Sequence, residues 1–172
     1  MSDQHQNIFC SAGSAAEYIN ETHKILIHVL DKSDLAAWLA EQTVITKSWV
    51  EQQHFSAEPG QHLIIPAADG RMDCLLLGKH SQAGLRLLQD LPDVLPAGDY
   101  QLGEQLDAEV YLGWGLASYE FSRYKQVKTE RPRLHLPTEL NAEVLALLTS
   151  SFRVRDLVNT PAQDMGPANL AA

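Results

Sequence analysis

A short apolar run passes directly into a helix signal early in the chain and sets the class of fold. Residues 24–30 (KILIHVL) are rich in β-branched side chains, which is typical of a buried strand. Residues 31–34 (DKSD) supply the aspartate and serine that favour a helix cap, and Leu35, Trp38 and Leu39 recur behind them at helical spacing. The pattern predicts a strand that leads straight into a helix.

A hairpin is predicted in the middle of the chain. Residues 62–66 (HLIIP) and 72–78 (MDCLLLG) are two apolar runs separated by five residues that include Asp69 and Gly70. An Asp-Gly pair between apolar runs is a strong hairpin signal, because glycine and aspartate tolerate the backbone angles of a tight turn. We therefore expect these two runs to pair as antiparallel strands.

The remaining short elements alternate in type. We expect helices at residues 44–55 and 84–91, the second ended by Pro92, and strands at residues 100–102 and 132–137. Strands interleaved with helices, together with one hairpin, predict an α/β domain with a mixed β-sheet flanked by helices. A helical bundle or a β-sandwich is disfavoured by the same alternation.

A longer helix is predicted over residues 107–125. Its apolar residues fall at spacings of three and four and so share one face: Leu106, Val110, Trp114, Ala117, Phe121 and Tyr124. Gly113 and Gly115 lie inside it, and each costs about 1 kcal/mol relative to alanine in a helix. We expect close packing of the helix backbone against a neighbour to compensate.

The last predicted helix begins at Thr138-Glu139 and ends before Pro161. Its predicted buried face is formed by Leu140, Val144, Leu147, Leu148, Ser151, Arg155 and Val158. Proline disfavours the helical conformation of the residue before it, so Thr160 must leave the helix. Gly166-Pro167 then suits the start of another helix.

Two segments of the chain carry a resemblance to a known family. Residues 113–125 (GWGLASYEFSRYK) and 155–171 (RDLVNTPAQDMGPANLA) resemble, in the expected order, a helix motif and a domain-entry motif of the leucyl aminopeptidase (cytosol aminopeptidase) family. The first hundred residues are similar, more loosely, to the short form of that family's N-terminal domain, which has a macro-domain-like α/β fold.

The resemblance implies a domain plan and a function. Residues 1–137 would form the N-terminal α/β domain, residues 138–160 a linker helix, and residues 161–172 the beginning of a truncated catalytic domain. The parent enzyme would be a cytoplasmic hexamer that removes N-terminal amino acids, leucine preferentially, from peptides by two-metal hydrolysis with zinc, manganese or magnesium. This domain would help to position subunits or limit access to the active site, with its own catalytic domain as its partner.

No catalytic, cofactor-binding or metal-binding residue is assigned within this chain. The family's ligand motifs, of the types Val-Gly-Lys-Gly and Asn-Thr-Asp-Ala-Glu-Gly-Arg, do not occur in residues 1–172. Among the seven histidines, His23 and His28 are five residues apart around a strand start and project to opposite faces, and no HExxH motif is present. We expect the 172-residue chain alone to be inactive.

Glycine-containing motifs do not indicate a nucleotide site. Gly78 and Lys79 superficially resemble a phosphate-binding loop, but Asp73 stands where that loop requires its first glycine. Gly113 and Gly115 lie within a predicted helix, whereas a dinucleotide fingerprint lies at a strand-to-helix turn. A stand-alone, macro-domain-like module that binds a small ligand remains an alternative on fold analogy alone.

Charge argues against nucleic acid and membrane partners. The formal net charge is -9, and an acidic body repels polyanions at long range. The exception is a basic run, in which Tyr119, Phe121 and Tyr124 lie near five cations: Arg123, Lys125, Lys128, Arg131 and Arg133. A DNA-binding regulatory domain is therefore a further alternative, although nucleic acid is not the expected partner.

Cysteine usage and the N-terminal sequence favour a cytoplasmic protein. Cys10 and Cys74 are too few and too far apart to indicate a disulfide scaffold, so both are predicted to be reduced thiols. The first residues lack a basic region followed by an apolar stretch, and no window approaches 18 consecutive apolar residues. We predict a soluble cytoplasmic protein.

Overall fold

A central sheet with helices on both faces organises the chain. The computed structural model describes residues 8–10, 24–80, 84–121, 123–124, 130–164 and 166. The elements in chain order are β1 (Phe9–Cys10), β2 (Ile25–Leu30), α1 (Lys32–Ala40), α2 (Val44–Gln52), β3 (His62–Pro66), β4 (Met72–Gly78), α3 (Leu91–Val94), β5 (Gly98–Leu102), α4 (Ala108–Ala117), β6 (Pro132–His135), α5 (Thr138–Asn159) and a 3-10 turn (Ala162–Asp164).

The sheet is mixed, as predicted. Its strand order is β1-β6-β5-β2-β4-β3, and every neighbouring pair is parallel except the β3–β4 hairpin. The hairpin turn lies at Asp69-Gly70, where Gly70 has a φ of 84° that a residue with a side chain rarely adopts. The predicted α/β class and the predicted hairpin are both confirmed.

The predicted junction between β2 and α1 is also confirmed. The Asp31 carboxylate accepts hydrogen bonds from the backbone N–H groups of Ser33 and Asp34, and the Asp34 side chain accepts one from the Asp31 N–H. This reciprocal capping box satisfies donors that have no partner within the helix. The residues that cap the helix are therefore adjacent to it in the sequence.

Each face of the sheet has its own apolar core, and β4 contributes to both. Leu75 and Leu77 belong to the larger core, which α4 and α5 complete, whereas Cys74 and Leu76 belong to a smaller core beneath α1 and α2. Successive residues of a strand point to opposite faces. A strand covered on both sides is therefore an almost continuous apolar run, as the sequence of β4 is.

Close packing of α4 explains its two glycines. A Cβ atom at Gly113 would lie 2.0 Å from the Leu85 carbonyl oxygen, and one at Gly115 would lie 2.4 Å from Leu148 Cδ1. Trp114, between them, is fully buried and its Nε1 lies 3.4 Å from the Ile8 carbonyl oxygen. The predicted compensation for glycine within the helix is confirmed.

The predicted length of this helix is wrong. α4 ends at Ala117, whereas the periodicity predicts a helix to residue 125. At this end, the Leu116 carbonyl accepts a hydrogen bond from Arg155 and the Ser118 carbonyl one from Arg131, so side chains from elsewhere in the fold occupy the last carbonyls. Phe121 and Tyr124 lie outside the helix, and Tyr124 is 56% exposed, so its predicted place on the buried face is also wrong.

The predicted helix at residues 84–91 is replaced by turns. The helix is instead the four-residue α3, in which Pro92 lies in the first turn and does not end the helix. Proline is well tolerated there because the N–H groups of a first helical turn have no partner within the helix.

The buried face of α5 is predicted correctly in part. Val144 and Leu148 are buried as predicted, and Phe152, which the prediction omitted, is buried with them. Leu147 and Val158 were predicted on that face, but they are 47% and 79% exposed. The sheet and α4 select a stripe that is rotated around the helix relative to the predicted one.

No helix in the described part of the chain combines the length and the apolar character that a membrane span requires.

Candidate functional site

The end of α5 is fastened to the end of α4 by the Arg155 side chain. Arg155 Nη1 donates a hydrogen bond of 2.8 Å to the Leu116 carbonyl, and its guanidinium lies 5.2 Å from the centre of the Tyr119 ring. Leu116 belongs to the last turn of α4, whose carbonyls have no partner within the helix. Arg155 therefore caps α4 from a neighbouring helix and places a cation at the negative end of its dipole.

Tyr119 is the centre of the contact between these helix ends. Its hydroxyl donates to Asp156 Oδ1 at 2.7 Å and accepts from Asn159 Nδ2 at 3.2 Å. Its ring packs on Phe152 with 5.0 Å between ring centres. Burial, together with the hydrogen bond to Asp156, raises the pKa of the Tyr119 hydroxyl. Polar residues of the second family-like segment thus contact an aromatic residue of the first.

The chain leaves α5 where the sequence predicts. Thr160 has extended backbone angles (φ -78°, ψ 123°), and its hydroxyl donates to the Asp156 carbonyl at 2.7 Å. Beyond Pro161, the turn Ala162–Asp164 is contacted by Tyr124, whose hydroxyl donates to the Asp164 carboxylate. The helix predicted to start at Gly166-Pro167 lies outside the described residues.

Two of the three arginines in the described part of the basic run, Arg131 and Arg133, are paired with carboxylates. Arg131 pairs with Glu120 and also donates to the Ser118 carbonyl at 3.4 Å. Arg133 makes two parallel hydrogen bonds of 2.7 and 2.9 Å to Asp99, a carboxylate only 8% exposed. Internal pairing leaves these charges less available to phosphate groups. Lys125 and Lys128 lie outside the described residues.

Gly78 has a packing role. A Cβ atom at Gly78 would lie 1.9 Å from the Glu58 carbonyl oxygen, and the Gly78 N–H donates to the Gln61 carbonyl at 2.7 Å. Close approach of the β4 end to residues 57–61 therefore accounts for glycine at this position, so no phosphate-binding role is needed to explain it.

Groups that could bind a metal ion are scattered over the described residues. Within these residues no three histidine, cysteine, aspartate or glutamate side chains are grouped to hold a metal ion. His28 instead packs against Trp38 with 5.7 Å between ring centres, and His23 lies outside the described residues. Cys10 and Cys74 are free thiols, and burial raises the pKa of Cys74 to about 12, which leaves it protonated and unreactive.

We expect the stability of the domain to fall as the pH drops below neutrality. Burial lowers the pKa of His28 against the weaker opposing effect of Asp73, and burial also lowers the pKa of His135. The unfolded chain, with histidine near pKa 6.5, then binds protons that the folded chain excludes. The stability that the neutral histidines contribute to the folded domain is fully present above about pH 6.5. It is lost as the pH falls towards the lowered pKa values of His28 and His135.

Urea unfolding at about pH 7.5 and about pH 5.5 measures this effect. The midpoint should fall at the lower pH, and His28→Gln should reduce the fall. His62→Gln, at an exposed position in β3, is the matched control. An unchanged midpoint between the two pH values would contradict the assignment.

Comparison with known proteins identifies the family. Residues 25–137 match the family described as "M17 aminopeptidase, N-terminal domain". The crystal structure of cytosol aminopeptidase from Coxiella burnetii is 30% identical, with a TM-score of 0.81 over 95% of this chain and 35% of that chain. This chain therefore spans about a third of that relative. A search of curated proteins gives no match.

Two more distant structures share the fold. The bottromycin maturation enzyme BotP in complex with Mn is 22% identical, with a TM-score of 0.59 over 86% of this chain and 34% of that one. A tomato leucine aminopeptidase mutant is 16% identical, with a TM-score of 0.59 over 95% of this chain and 40% of that one. The match over residues 25–137 and the similarity to the Coxiella enzyme establish that this chain belongs to the M17 aminopeptidase family, as its N-terminal domain.

Proposed function

We propose that this chain is the non-catalytic N-terminal domain of a metal-dependent leucyl aminopeptidase, which removes N-terminal amino acids from peptides. The observation that carries the proposal is the uneven coverage of the Coxiella relative. Nearly all of this chain, 95%, aligns with only 35% of that enzyme, so the relative has a large additional part. We assign the peptide substrate to that part.

The proposed domain plan follows from the resemblance to the family. Residues 1–137 would form the α/β domain, residues 138–160 the linker helix, and residues 161–172 the start of the catalytic domain. The family match ends at residue 137, which supports the first boundary. The linker helix also has a structural role, because Val144, Leu148 and Phe152 of α5 complete the larger core.

We assign the metal chemistry to the catalytic domain. Two divalent ions, zinc, manganese or magnesium, would supply the hydroxide and polarise the scissile carbonyl there. The described residues do not fit such a site, since they lack a group of three potential ligands. Manganese in the BotP complex supports a metal requirement in related folds.

The domain would contribute to the enzyme through its placement in the assembly and not through catalytic residues of its own. In a cytoplasmic homo-oligomer, taken to be a hexamer, it would help to place subunits or limit access to the active site. The name of the Coxiella relative, a cytosol aminopeptidase, supports the cytoplasmic assignment.

Purified residues 1–172 should not hydrolyse a leucyl anilide. The expected rate with zinc, manganese or magnesium is that of an identically purified preparation from cells lacking the gene, because the described residues hold no group of metal ligands. An active aminopeptidase assayed in parallel confirms that the conditions support catalysis. Chelator-sensitive hydrolysis above the background would refute a non-catalytic role.

A further inference from the structure

The residues that follow α4 contact the chain on both sides of Pro161. Before the proline, Tyr119 donates a hydrogen bond to Asp156 in the last turns of α5. After the proline, Tyr124 donates a hydrogen bond to Asp164 in the 3-10 turn. Two tyrosines from one short segment therefore contact the chain just before and just after it leaves α5. We call these two contacts, Tyr119 with Asp156 and Tyr124 with Asp164, the bracket.

The exit has little local structure of its own to fix its direction. Proline restricts its own φ and holds Thr160 in an extended conformation, but it cannot donate a backbone hydrogen bond. Among the described residues, the turn that follows is closed by a hydrogen bond from the Asp164 N–H to the Pro161 carbonyl at 2.9 Å. A single turn of this kind is marginal in water because it fixes several dihedral angles for few hydrogen bonds. A contact from outside the turn therefore adds to its stability.

The segment that supplies this contact is itself held in place. Arg131 donates to the Ser118 carbonyl and pairs with the Glu120 carboxylate, so it contacts the residues on both sides of Tyr119. The Tyr124 ring meets the Phe121 ring edge-on, with 5.8 Å between ring centres. The Arg123 guanidinium lies 5.7 Å from the centre of the Tyr124 ring.

We propose that Tyr119 and Tyr124 are positioning residues that fix the direction in which the chain leaves α5, and with it the placement of the domain that follows. The identity of that domain rests on the proposed function, whereas the bracket itself is a property of this chain. Tyr119 holds the helix end against α4, and Tyr124 holds the turn beyond the proline.

Backbone ¹⁵N relaxation of the 172-residue chain tests the proposal. Tyr124→Phe removes only the hydroxyl, so the order parameters of residues 162–164 should fall from about 0.85 to below about 0.6. The unfolding midpoint should stay unchanged, because Tyr124 is exposed and outside both cores. Asp164→Ala removes the acceptor and should have at least as large an effect, and adding Tyr124→Phe to it should cause no further loss. Asp93→Ala, at an exposed position in α3, is the matched control.

A second readout reports the contact itself. The hydrogen bond to Asp164 raises the pKa of the Tyr124 hydroxyl, so Asp164→Asn should lower it in an ultraviolet titration. Unchanged order parameters in Tyr124→Phe would overturn the bracket and leave the proposed function intact. If the protein encoded by the uninterrupted reading frame has no peptidase activity, the proposed function is wrong. The relaxation result for residues 1–172 does not depend on that outcome.

Discussion

Trp114→Ala is expected to lower the free energy of unfolding by about 3–5 kcal/mol, the usual cost of removing a large buried aromatic side chain. Trp114 is completely buried, and its ring lies 6.2 Å from that of Tyr100 on the sheet. The substitution leaves a cavity between the sheet and α4 and removes the donor near the Ile8 carbonyl. Since single domains are stable by only about 5–15 kcal/mol, the variant should be close to unfolding at physiological temperature.

Urea unfolding followed by circular dichroism measures the loss. Trp49→Ala is the matched control, because Trp49 is only partly buried against the smaller core, with its Nε1 donating to the Ile64 carbonyl at 3.1 Å. Trp49→Ala should lower the free energy of unfolding clearly less than Trp114→Ala does. Equal losses for the two variants, or a loss below about 1 kcal/mol for Trp114→Ala, would contradict the assignment of Trp114 to the centre of the core.

Gly113→Ala is expected to destabilise the domain by about 1–3 kcal/mol, a typical cost of overpacking. Intrinsic helix propensity alone predicts the opposite, a gain of about 1 kcal/mol. The added Cβ would lie 2.0 Å from the Leu85 carbonyl oxygen, and a backbone atom cannot rotate away as a side chain can. The helix and residues 84–86 would have to separate.

Two other glycines provide graded controls in the same urea experiment. Gly115→Ala should cost less, because the nearest atom, 2.4 Å away, is a methyl group of the Leu148 side chain. Gly166→Ala should have no measurable effect, since among the described residues no heavy atom lies within 4 Å of its added Cβ. A more stable Gly113→Ala variant would show that helix propensity outweighs packing and that α4 and Leu85 are not in close contact.

Local chemistry explains the parts of the fold that sequence predicts well. The change from β2 to α1 is encoded by adjacent residues, because Asp31 and Asp34 cap the helix that follows the strand. The hairpin is likewise encoded by Asp69-Gly70 between its two strands. Neither prediction needs information from distant parts of the chain.

The prediction from sequence is wrong where contacts between distant residues determine the length of a helix or its buried face. Periodicity extends the α4 pattern through Phe121 and Tyr124, but the helix ends at Ala117, where Arg155, far along the chain, donates to the Leu116 carbonyl. On α5 the apolar residues Leu147 and Val158 fit a helical stripe, yet the neighbouring layers bury a different one. Spacing gives the period of a helix but not the direction from which its partners approach.

The contacts at the candidate site could not be predicted from sequence. The resemblance singles out the segments that contain Tyr119 and Asp156, but these residues are 37 positions apart and no local pattern indicates that they touch. The pairing within the basic run could not be predicted either, because Arg133 is paired with Asp99, which is 34 positions away. Sequence therefore indicated the family, and the fold assigns these residues to internal contacts.

Peptidase activity of the protein encoded by the uninterrupted reading frame decides whether this chain is part of a leucyl aminopeptidase. The reading frame is followed past residue 172, and the encoded protein is assayed for hydrolysis of a leucyl anilide, with residues 1–172 as the matched control. We expect hydrolysis that depends on zinc, manganese or magnesium and is lost with a chelator, and no hydrolysis by the control. A stop codon directly after residue 172, or a longer protein that is inactive with all three metals, would contradict the claim that this chain serves a leucyl aminopeptidase.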